Sequence, residues 1–288
     1  MTLKELLPWR FRSLNNLRYS YAEALFGAMQ STPAGKCNPL SGSEVHALLC
    51  KRDLNMFLLA AKSFLRFYDD VRVVVHDDGS LTERDFRVLA AHIQGVEIIA
   101  RPLADRELAR VLPRALTEER KRHVFLLKLF DFNHFSRAEK TIGLDSDIVF
   151  VGEPTEVIDW LQRDSSSCFY NADPTDNTFR ALEQPALTAA PNFNAGFIGY
   201  QGRFALDTLV QTIELLGYCL EDQTVYAYLF SRGEARALKR SRYYVYDGRR
   251  LPEEVAMVHF ISPFRFKDGL YLRLSKTVAR ELLRPSVQ

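Results

Sequence analysis

The sequence predicts an α/β protein with a Rossmann-like, mostly parallel mixed sheet flanked by helices. Three observations support this class. After residue 42, short β-branched apolar runs alternate with amphipathic stretches, which is typical of the strands and helices of a parallel sheet. One of these apolar runs carries Asp-Ser-Asp, and ligands of such sheets collect at the carboxyl ends of the strands. A chain of 288 residues, 47% of them hydrophobic, can also bury the core of one large domain.

The first 42 residues are predicted to form a helical extension that precedes the main domain. Apolar residues recur there at spacings of three and four, at Leu14, Leu17, Tyr21, Leu25 and Met29. This period indicates an amphipathic helix over residues 13–30. A stretch rich in Pro, Gly and Ser, STPAGKCNPLSGS, then breaks the pattern. The main domain is therefore expected to span residues 43–288.

Strands and helices alternate in the first half of the main domain. Apolar and β-branched runs between polar turns predict strands at residues 45–50, 71–75, 96–100 and 141–151. Apolar residues at helical spacing predict helices at residues 54–67, 81–92 and 104–135. A strand at 197–200 and a helix that begins near residue 222 are expected further along.

The composition limits the classes of function. A formal net charge of +2 lacks the basic excess with which nucleic-acid binders neutralise phosphates, so no nucleic-acid partner is expected. The four widely spaced cysteines indicate neither a zinc knuckle nor a disulfide framework. No apolar run reaches the length of a signal peptide core or of a membrane-spanning helix. The expected location is the cytoplasm, and peripheral contact with the inner face of the membrane stays open.

Asp145 and Asp147 form a candidate metal site. Side chains alternate along a strand, so these two carboxylates would point the same way with Cα atoms ~6.6 Å apart. Neighbouring carboxylates repel unless protons or a cation neutralise them, and a hard divalent ion does so while leaving positions open for phosphate. The apolar residues around the motif place it at the edge of a core. A merely solvated acidic pair at a strand end is the alternative.

A phosphatase of the haloacid-dehalogenase type is a rival functional interpretation. Such enzymes also carry Asp-x-Asp after an apolar strand, and the first Asp is their nucleophile. Their motif usually continues with Gly-Thr and lies near the start of the chain. In this sequence Ile148-Val149 follows the motif, and a long stretch of chain precedes it.

Three later segments follow the Asp-Ser-Asp motif at 145–147: NFNAGF at 192–197, EDQ at 221–223 and VHF at 258–260. In this order the four motifs resemble those of the retaining glycosyltransferases of family 8, the glycogenin and bacterial lipopolysaccharide galactosyltransferase group. The resemblance covers about residues 44–267, although each motif alone is short. It implies that the α/β fold predicted above is the GT-A fold, which binds a nucleotide sugar.

The resemblance also implies a metal and a catalytic pair. Mn²⁺ or Mg²⁺ would be held by Asp145, Asp147 and His259, and imidazole is a sound ligand for Mn²⁺ beside carboxylates. A histidine in such a strand can equally be an ordinary buried residue. Asp222 and Gln223 precede a helical period, so they are expected at a helix N-terminus, where the resemblance implies contact with the transferred sugar. A simple helix cap is the alternative for this pair.

The residues that the resemblance implies for donor binding are Asp53, Lys128, Asp145, Asn194, Gly196 and Arg265. The Asn194 amide can donate to and accept from a sugar hydroxyl, and Gly196 lets the backbone approach the ligand. Lys128 matches a cation that lies near the donor in the family. Arg265 stands where the family has a lysine on the pyrophosphate, and arginine can hold phosphate oxygens bidentately.

Two positions depart from the family pattern. Ser262 replaces a glycine in the last motif, which affects the backbone path over the phosphates. Asp53 matches an acidic residue in the loop around the base, but Asn55 stands where the family has a tyrosine that stacks on uracil. A UDP-sugar is thus expected from the family, and the identity of the base stays open. Residues 171–191, rich in polar residues and prolines, are expected to form a loop near the sugar.

The sequence therefore predicts a metal-dependent glycosyltransferase, a hexosyltransferase that moves a sugar from a nucleotide-diphosphate sugar to a hydroxyl of a glycan or another acceptor. The resemblance implies retention of the anomeric configuration, whereas Glu221-Asp222 could also supply a general base for inversion. The family's bacterial members point to polysaccharide biosynthesis. A non-catalytic protein that binds a nucleotide sugar or a sugar stays open as an alternative, as does the phosphatase.

Overall fold

The structure is a computed structural model, and it describes residue 17 and residues 26–163, 167–174, 190–262 and 264–284. Most of the helix predicted at 13–30 lies outside the described residues, and so does most of the loop predicted at 171–191. The last residues of that predicted helix form a 3-10 helix, Gly27–Ser31. The division of the chain at residue 42 stays a prediction.

The strands are short, and most are separated by helices. They are β1 (Gly35–Lys36), β2 (Ser43–Leu49), β3 (Arg72–Asp77), β4 (Ile93–Gln94), β5 (Glu97–Ile99), β6 (Lys140–Leu144), β7 (Ile148–Phe150), β8 (Cys168–Ala172), β9 (Phe193–Gln201), β10 (Ala235–Ala237), β11 (Tyr243–Val245) and β12 (Met257–His259).

The α-helices of the described residues are α1 (Leu54–Leu65), α2 (Glu83–His92), α3 (Arg101–Leu108), α4 (Arg114–Arg120), α5 (Val124–Phe135), α6 (Thr155–Gln162), α7 (Leu206–Leu215), α8 (Asp222–Ser231) and α9 (Leu270–Leu282). None of these helices combines the length and the apolar composition that crossing a bilayer requires.

The central sheet has the strand order β10-β8-β9-β6-β2-β3-β5. Strands β5, β3, β2 and β6 run parallel, β9 is antiparallel to β6 and β8, and β10 is parallel to β8. Helices flank this sheet, so its parallel strands are covered on both faces. This explains why β3 carries three valines in succession instead of alternating with polar residues. The predicted α/β class with a mostly parallel mixed sheet is confirmed.

A smaller sheet, β11-β12-β7, positions the histidine of the last motif. Strand β12 is antiparallel to β7, and His259 pairs with Ile148 in this register. Ile148 directly follows Asp147, so the pairing brings His259 beside the Asp-Ser-Asp motif. A contact between residues far apart in the sequence is thus set by backbone hydrogen bonds of two three-residue strands.

Two predicted elements are wrong in detail. The strand predicted at 141–151 is interrupted, because β6 ends at Leu144 and residues 145–147 form a turn before β7 begins. The turn, and not the alternation of a strand, therefore brings the two carboxylates together. The helix predicted at 104–135 is divided into α3, α4 and α5. Pro113 lies at one of these breaks, since proline has no N–H to continue a helix.

The buried side chains form two large hydrophobic clusters. The first joins α1 and α9 to β7 and β12, and the second joins α5, α7 and α8 to β9. The turn after β6 lies where elements of the two clusters meet.

A buried network of hydrogen-bonded polar side chains also links β2 to β3. The Glu44 carboxylate lies 2.9 Å from His46 Nε2, and His46 Nδ1 lies 2.9 Å from His76 Nε2. Arg72 donates to the same carboxylate at 2.5 Å. Burial would raise the pKa of Glu44, but its hydrogen bond with His46 and the His46 charge lower it to about 2.

Glu44 should make the stability of the fold depend on pH in the acid range. Its pKa falls from 4.5 to about 2 on folding. A depressed pKa contributes stability that is complete above the unfolded value and is lost as the pH falls through the folded one. We expect Glu44→Gln to flatten the rise in the free energy of unfolding between about pH 2 and pH 4.5 in urea denaturation. An unchanged slope would assign that rise to other carboxylates.

Candidate active site

One cavity of about 310 Å³ opens beside the turn between β6 and β7. Its walls come from α5, this turn, β9, the start of α8 and the segment after β12. Nine of the ten residues predicted for the site line it: Lys128, Asp145, Asp147, Asn194, Gly196, Asp222, Gln223, His259 and Arg265. The fold thus brings the motifs of four separate segments to one place, while the role of each residue stays a prediction.

Asp145, Asp147 and His259 form a compact cluster in this cavity. Each offers a ligand atom, and these atoms all lie within 4.8 Å of one another. His259 Nε2 lies 3.1 Å from Asp147 Oδ1 and 3.8 Å from Asp145 Oδ2. The turn is held on both sides, because Asp145 N donates to the Gly196 carbonyl at 2.8 Å and Phe260 N donates to the Asp147 carbonyl at 2.9 Å.

This cluster fits a divalent cation. Two carboxylates and an imidazole are a donor set that suits Mn²⁺, and the carboxylates also suit Mg²⁺. Within the described part of the chain, His259 Nδ1 is buried without a hydrogen-bond partner, and Nε2 is the ring nitrogen that faces the two carboxylates. Asp147 is buried whereas Asp145 is partly exposed, so a bound ion would face the cavity.

Gly196 makes room for the His259 ring. A Cβ on Gly196 would lie 2.7 Å from His259 Nδ1 and 2.8 Å from Nε2, closer than van der Waals contact allows. The sequence predicts that this glycine admits the ligand, whereas the structure shows that it admits the imidazole. A side chain at this position would displace a candidate metal ligand.

Lys128, from α5, lies between two carboxylates on the cavity wall. Its ammonium donates to Asp145 Oδ1 at 2.8 Å and to the Ala195 carbonyl at 2.7 Å, and it lies 3.4 Å from Asp222 Oδ2. Burial would lower the pKa of Lys128, but Asp145 and Asp222 raise it well above its ordinary value. The side chain is therefore a permanent cation inside the cavity.

Arg265 supplies a second cation beside the turn. Its guanidinium forms an ion pair with Asp147, and its Nε donates to the Phe260 carbonyl at 3.0 Å. Burial would raise the pKa of Asp147, but Arg265 and His259 hold it well below its usual range. Asp147 is therefore fully ionised at neutral pH, as a metal ligand must be.

The amide and acidic side chains at the far wall are held by the backbone. Asn194 Oδ1 accepts from Gly196 N at 3.0 Å, and Gln223 Oε1 lies 3.4 Å from Ala195 N. Asp222 and Gln223 open α8, as predicted. Burial raises the pKa of Asp222, and the Lys128 ammonium opposes that rise. Of the two acids weighed as a general base, Asp222 lines the cavity and Glu221 does not.

Asp173 is a polar residue of this region that the sequence analysis missed. Its Oδ2 accepts from Asn194 Nδ2 at 3.2 Å, and its backbone N donates to the Asn192 carbonyl at 2.7 Å. These contacts fix the orientation of the Asn194 amide. The residue follows β8 in a stretch that reads as a polar loop, so the sequence carries no signal for the contact.

Asp53 does not line the cavity. It lies at the start of α1, where its carboxylate accepts from Arg52 Nε at 3.0 Å. Asn55, which stands at the position of the family's tyrosine, accepts from the Gln30 amide at 2.7 Å. Ser262 lines the cavity. The prediction that Asp53 contacts the base therefore remains to be tested.

The fold and this cavity together define an α/β protein with the GT-A fold, in which the Asp-Ser-Asp turn faces the cavity. No sequence model of a protein family matches the chain, and no curated protein matches it either. Similarity was found at the level of structure.

Three solved glycosyltransferases show this fold. The galactosyltransferase LgtC, in complex with donor and acceptor sugar analogues, matches with a TM-score of 0.57 at 13% identity, over 84% of this chain and 97% of its own. Mouse xyloside xylosyltransferase 1 matches with a TM-score of 0.53 at 12% identity, over 77% and 98%. The glycosyltransferase GlyE of Streptococcus pneumoniae matches with a TM-score of 0.53 at 15% identity, over 85% and 65%. At these identities the matches establish the fold.

Proposed function

We propose that this protein is a metal-dependent glycosyltransferase that uses a nucleotide-diphosphate sugar. The observation that supports this most is the meeting of Asp145, Asp147 and His259 with the cations Lys128 and Arg265 in one cavity. A diphosphate is an anion that binds to a divalent cation and to fixed positive side chains. The GT-A fold of the three solved glycosyltransferases agrees with this activity and gives no support to the phosphatase alternative.

Asp145, Asp147 and His259 would hold Mn²⁺ or Mg²⁺, which neutralises charge on the diphosphate when bound. Lys128 and Arg265 would supply further positive charge near the diphosphate. Both are fixed before the donor arrives, so they can stabilise the charge that develops on the leaving diphosphate without reorganisation. In this proposal Arg265 binds the phosphate oxygens of the donor. Lys128 acts on the part of the donor that lies beside Asp222.

In the proposed reaction, the bond from the anomeric carbon to the diphosphate oxygen breaks, and a bond from that carbon to the acceptor oxygen forms. The acceptor hydroxyl passes its proton to the diphosphate oxygen that departs, and the nucleoside diphosphate leaves. Gln223 and Asn194 offer amides to the hydroxyls of the transferred hexose. We propose a UDP-sugar as donor and retention at the anomeric carbon, on the family resemblance of the four motifs. NMR of the product anomer tests retention directly.

The acceptor in this proposal is a glycan hydroxyl, in keeping with polysaccharide biosynthesis. The cytoplasmic location expected from the sequence, with contact at the inner face of the membrane, belongs to the same proposal. A non-catalytic sugar-binding protein is the alternative that keeps the same cavity.

A nucleotide-sugar screen tests the proposal. The protein is heated with Mn²⁺ and each of the common UDP-, GDP- and CDP-sugars, and unfolding is compared with that in EDTA. A donor at a hundredfold excess over its Kd would stabilise the fold by about 2.7 kcal/mol. Absence of a metal-dependent shift with every donor would refute the proposal. Binding without donor hydrolysis or transfer would favour the non-catalytic alternative. Release of phosphate from simple phosphoesters would support the phosphatase alternative.

The substitution Lys128→Met tests the effect of the side chain's charge on transfer separately from the effect of its size. Lys128→Met keeps a similar volume but removes the cation between Asp145 and Asp222, so we expect transfer to fall by about 10²- to 10³-fold. The unliganded variant should also lose about 3 kcal/mol of stability, because two carboxylates lose their partner. Steady-state kinetics and urea denaturation measure the two effects.

Lys140→Met is the matched control for Lys128→Met. Lys140 is also buried, but its ammonium binds the carbonyls of Trp160 and Leu161 at the end of α6, away from the cavity. We expect this variant to lose stability while it keeps the affinity for the donor. Equal losses of transfer in both variants would show that Lys128 acts only through stability.

A further inference from the structure

Two large apolar side chains lie half exposed where α5 meets the cavity. Val124 and Phe125, the first two residues of the helix, are each 48% exposed and line the cavity, whereas the next residue, Leu126, is fully buried. The first turn of this helix contains no acidic residue, although carboxylates are favoured there by the helix dipole. Two adjacent apolar side chains that are half exposed in the wall of a cavity form the kind of surface that a bound ligand covers.

The apolar and the charged residues of α5 and α8 lie at different depths in the cavity. Phe125 lies one helical turn before Lys128, so both project from the same side of α5. Lys128 is only 7% exposed and Asp222 only 5%, which places these two charged groups deep in the cavity and the apolar pair at its mouth. The diphosphate of a donor requires the charged groups. The apolar wall at the mouth suits an uncharged ring of a ligand that enters there after the donor.

We propose that Phe125, with Val124 beside it, forms the platform on which the acceptor sugar ring stacks. This inference rests on the proposed transferase function and names the acceptor class, a hexopyranoside with an apolar face. One face of such a ring presents C–H groups, which pack on the negative face of an aromatic ring. The ring of Phe125 would thus set which acceptors place a hydroxyl near the anomeric carbon, while leaving the donor site unchanged.

The test compares Phe125→Ala with Phe125→Trp in the full chain. Two activities are measured with the same donor and Mn²⁺: hydrolysis of the donor without acceptor, and transfer to a panel of methyl hexosides of galactose, glucose and mannose. We expect Phe125→Ala to raise the KM for the hexoside by about tenfold, with donor hydrolysis unchanged. Phe125→Trp keeps a stacking face and should transfer like wild type.

Val111→Ala is the matched control. Val111 is 52% exposed but lies in the turn after α3, outside the cavity. This variant should leave both activities unchanged. The proposal is overturned if Phe125→Ala weakens donor hydrolysis as much as transfer, if it leaves transfer unchanged, or if the wild type hydrolyses the donor but uses no hexoside of the panel. A wild type that neither hydrolyses nor transfers any donor would instead refute the transferase function itself.

Discussion

Asp147→Asn should abolish the stabilisation by Mn²⁺ and nucleotide sugar and lower transfer by on the order of 10³-fold. The substitution keeps the shape of the side chain but removes the charge that faces His259 Nε2 at 3.1 Å. An amide oxygen is a weaker ligand for a divalent cation than a carboxylate. The guanidinium of Arg265 also loses its partner, so the unliganded variant should unfold at a somewhat lower temperature.

A control variant and a set of ligand conditions isolate the effect of Asp147→Asn on metal binding. Asp159→Asn removes a carboxylate that is paired with Arg163 on the exposed side of α6, and it should leave the metal-dependent shift unchanged. Thermal unfolding of each variant with Mn²⁺, with donor and with both measures the shift. If Asp147→Asn keeps the full shift, the cluster of Asp145, Asp147 and His259 is not the metal site.

Most residues of the cavity could be predicted from the sequence because each belongs to a short motif whose residue types suggest a function. Carboxylates at 145 and 147, an amide before Gly196 and an acid-amide pair before a helical period are readable in the chain itself. The order of the four motifs then predicted that they share a site. In the structure nine of the ten predicted residues line one cavity, and their roles stay predictions. Asp53 is the exception, and its carboxylate pairs with the neighbouring Arg52 instead.

The local geometry of the acidic motif could not be predicted in the same way. Apolar residues on both sides of the motif satisfy the pattern of one long strand, and no Gly or Pro marks the turn that interrupts it. The position of His259 depends on the register of β12 against β7, which is a contact between distant segments. Periodicity within one segment carries no information about such a register.

The same limit explains the contacts that the sequence did not reveal. Asp173 orients Asn194 from a stretch with the composition of an ordinary loop. Val124 and Phe125 match the helical period of α5, so they read as core residues until their exposure is known. Gly196 reads as a flexible residue near a ligand, and only the position of the imidazole shows what its missing side chain allows.

Gly196→Ala should therefore remove metal binding although it deletes no ligand atom. The new Cβ would lie 2.7 Å from His259 Nδ1 and 2.8 Å from Nε2, and both atoms are closer than packing permits. Because the Gly196 carbonyl accepts from Asp145 N at 2.8 Å, next to the ladder between β6 and β9, the backbone at Gly196 has little freedom to withdraw. The imidazole must move instead, and it moves away from Asp145 and Asp147. We expect loss of the Mn²⁺-dependent thermal shift and of transfer by at least about 10²-fold.

Gly199→Ala gives the matched control, since it places the same methyl group on the same strand. Its Cβ would lie 2.7 Å from Phe169 Cδ1, in the core and away from the cavity. Overpacking of this kind costs about 1–3 kcal/mol, so both variants should unfold at lower temperature by similar amounts. Only Gly196→Ala should then fail to respond to Mn²⁺ in thermal unfolding. If both variants retain the response, His259 is not required for metal binding. If both lose it, the loss follows from destabilisation of β9 and not from displacement of the imidazole.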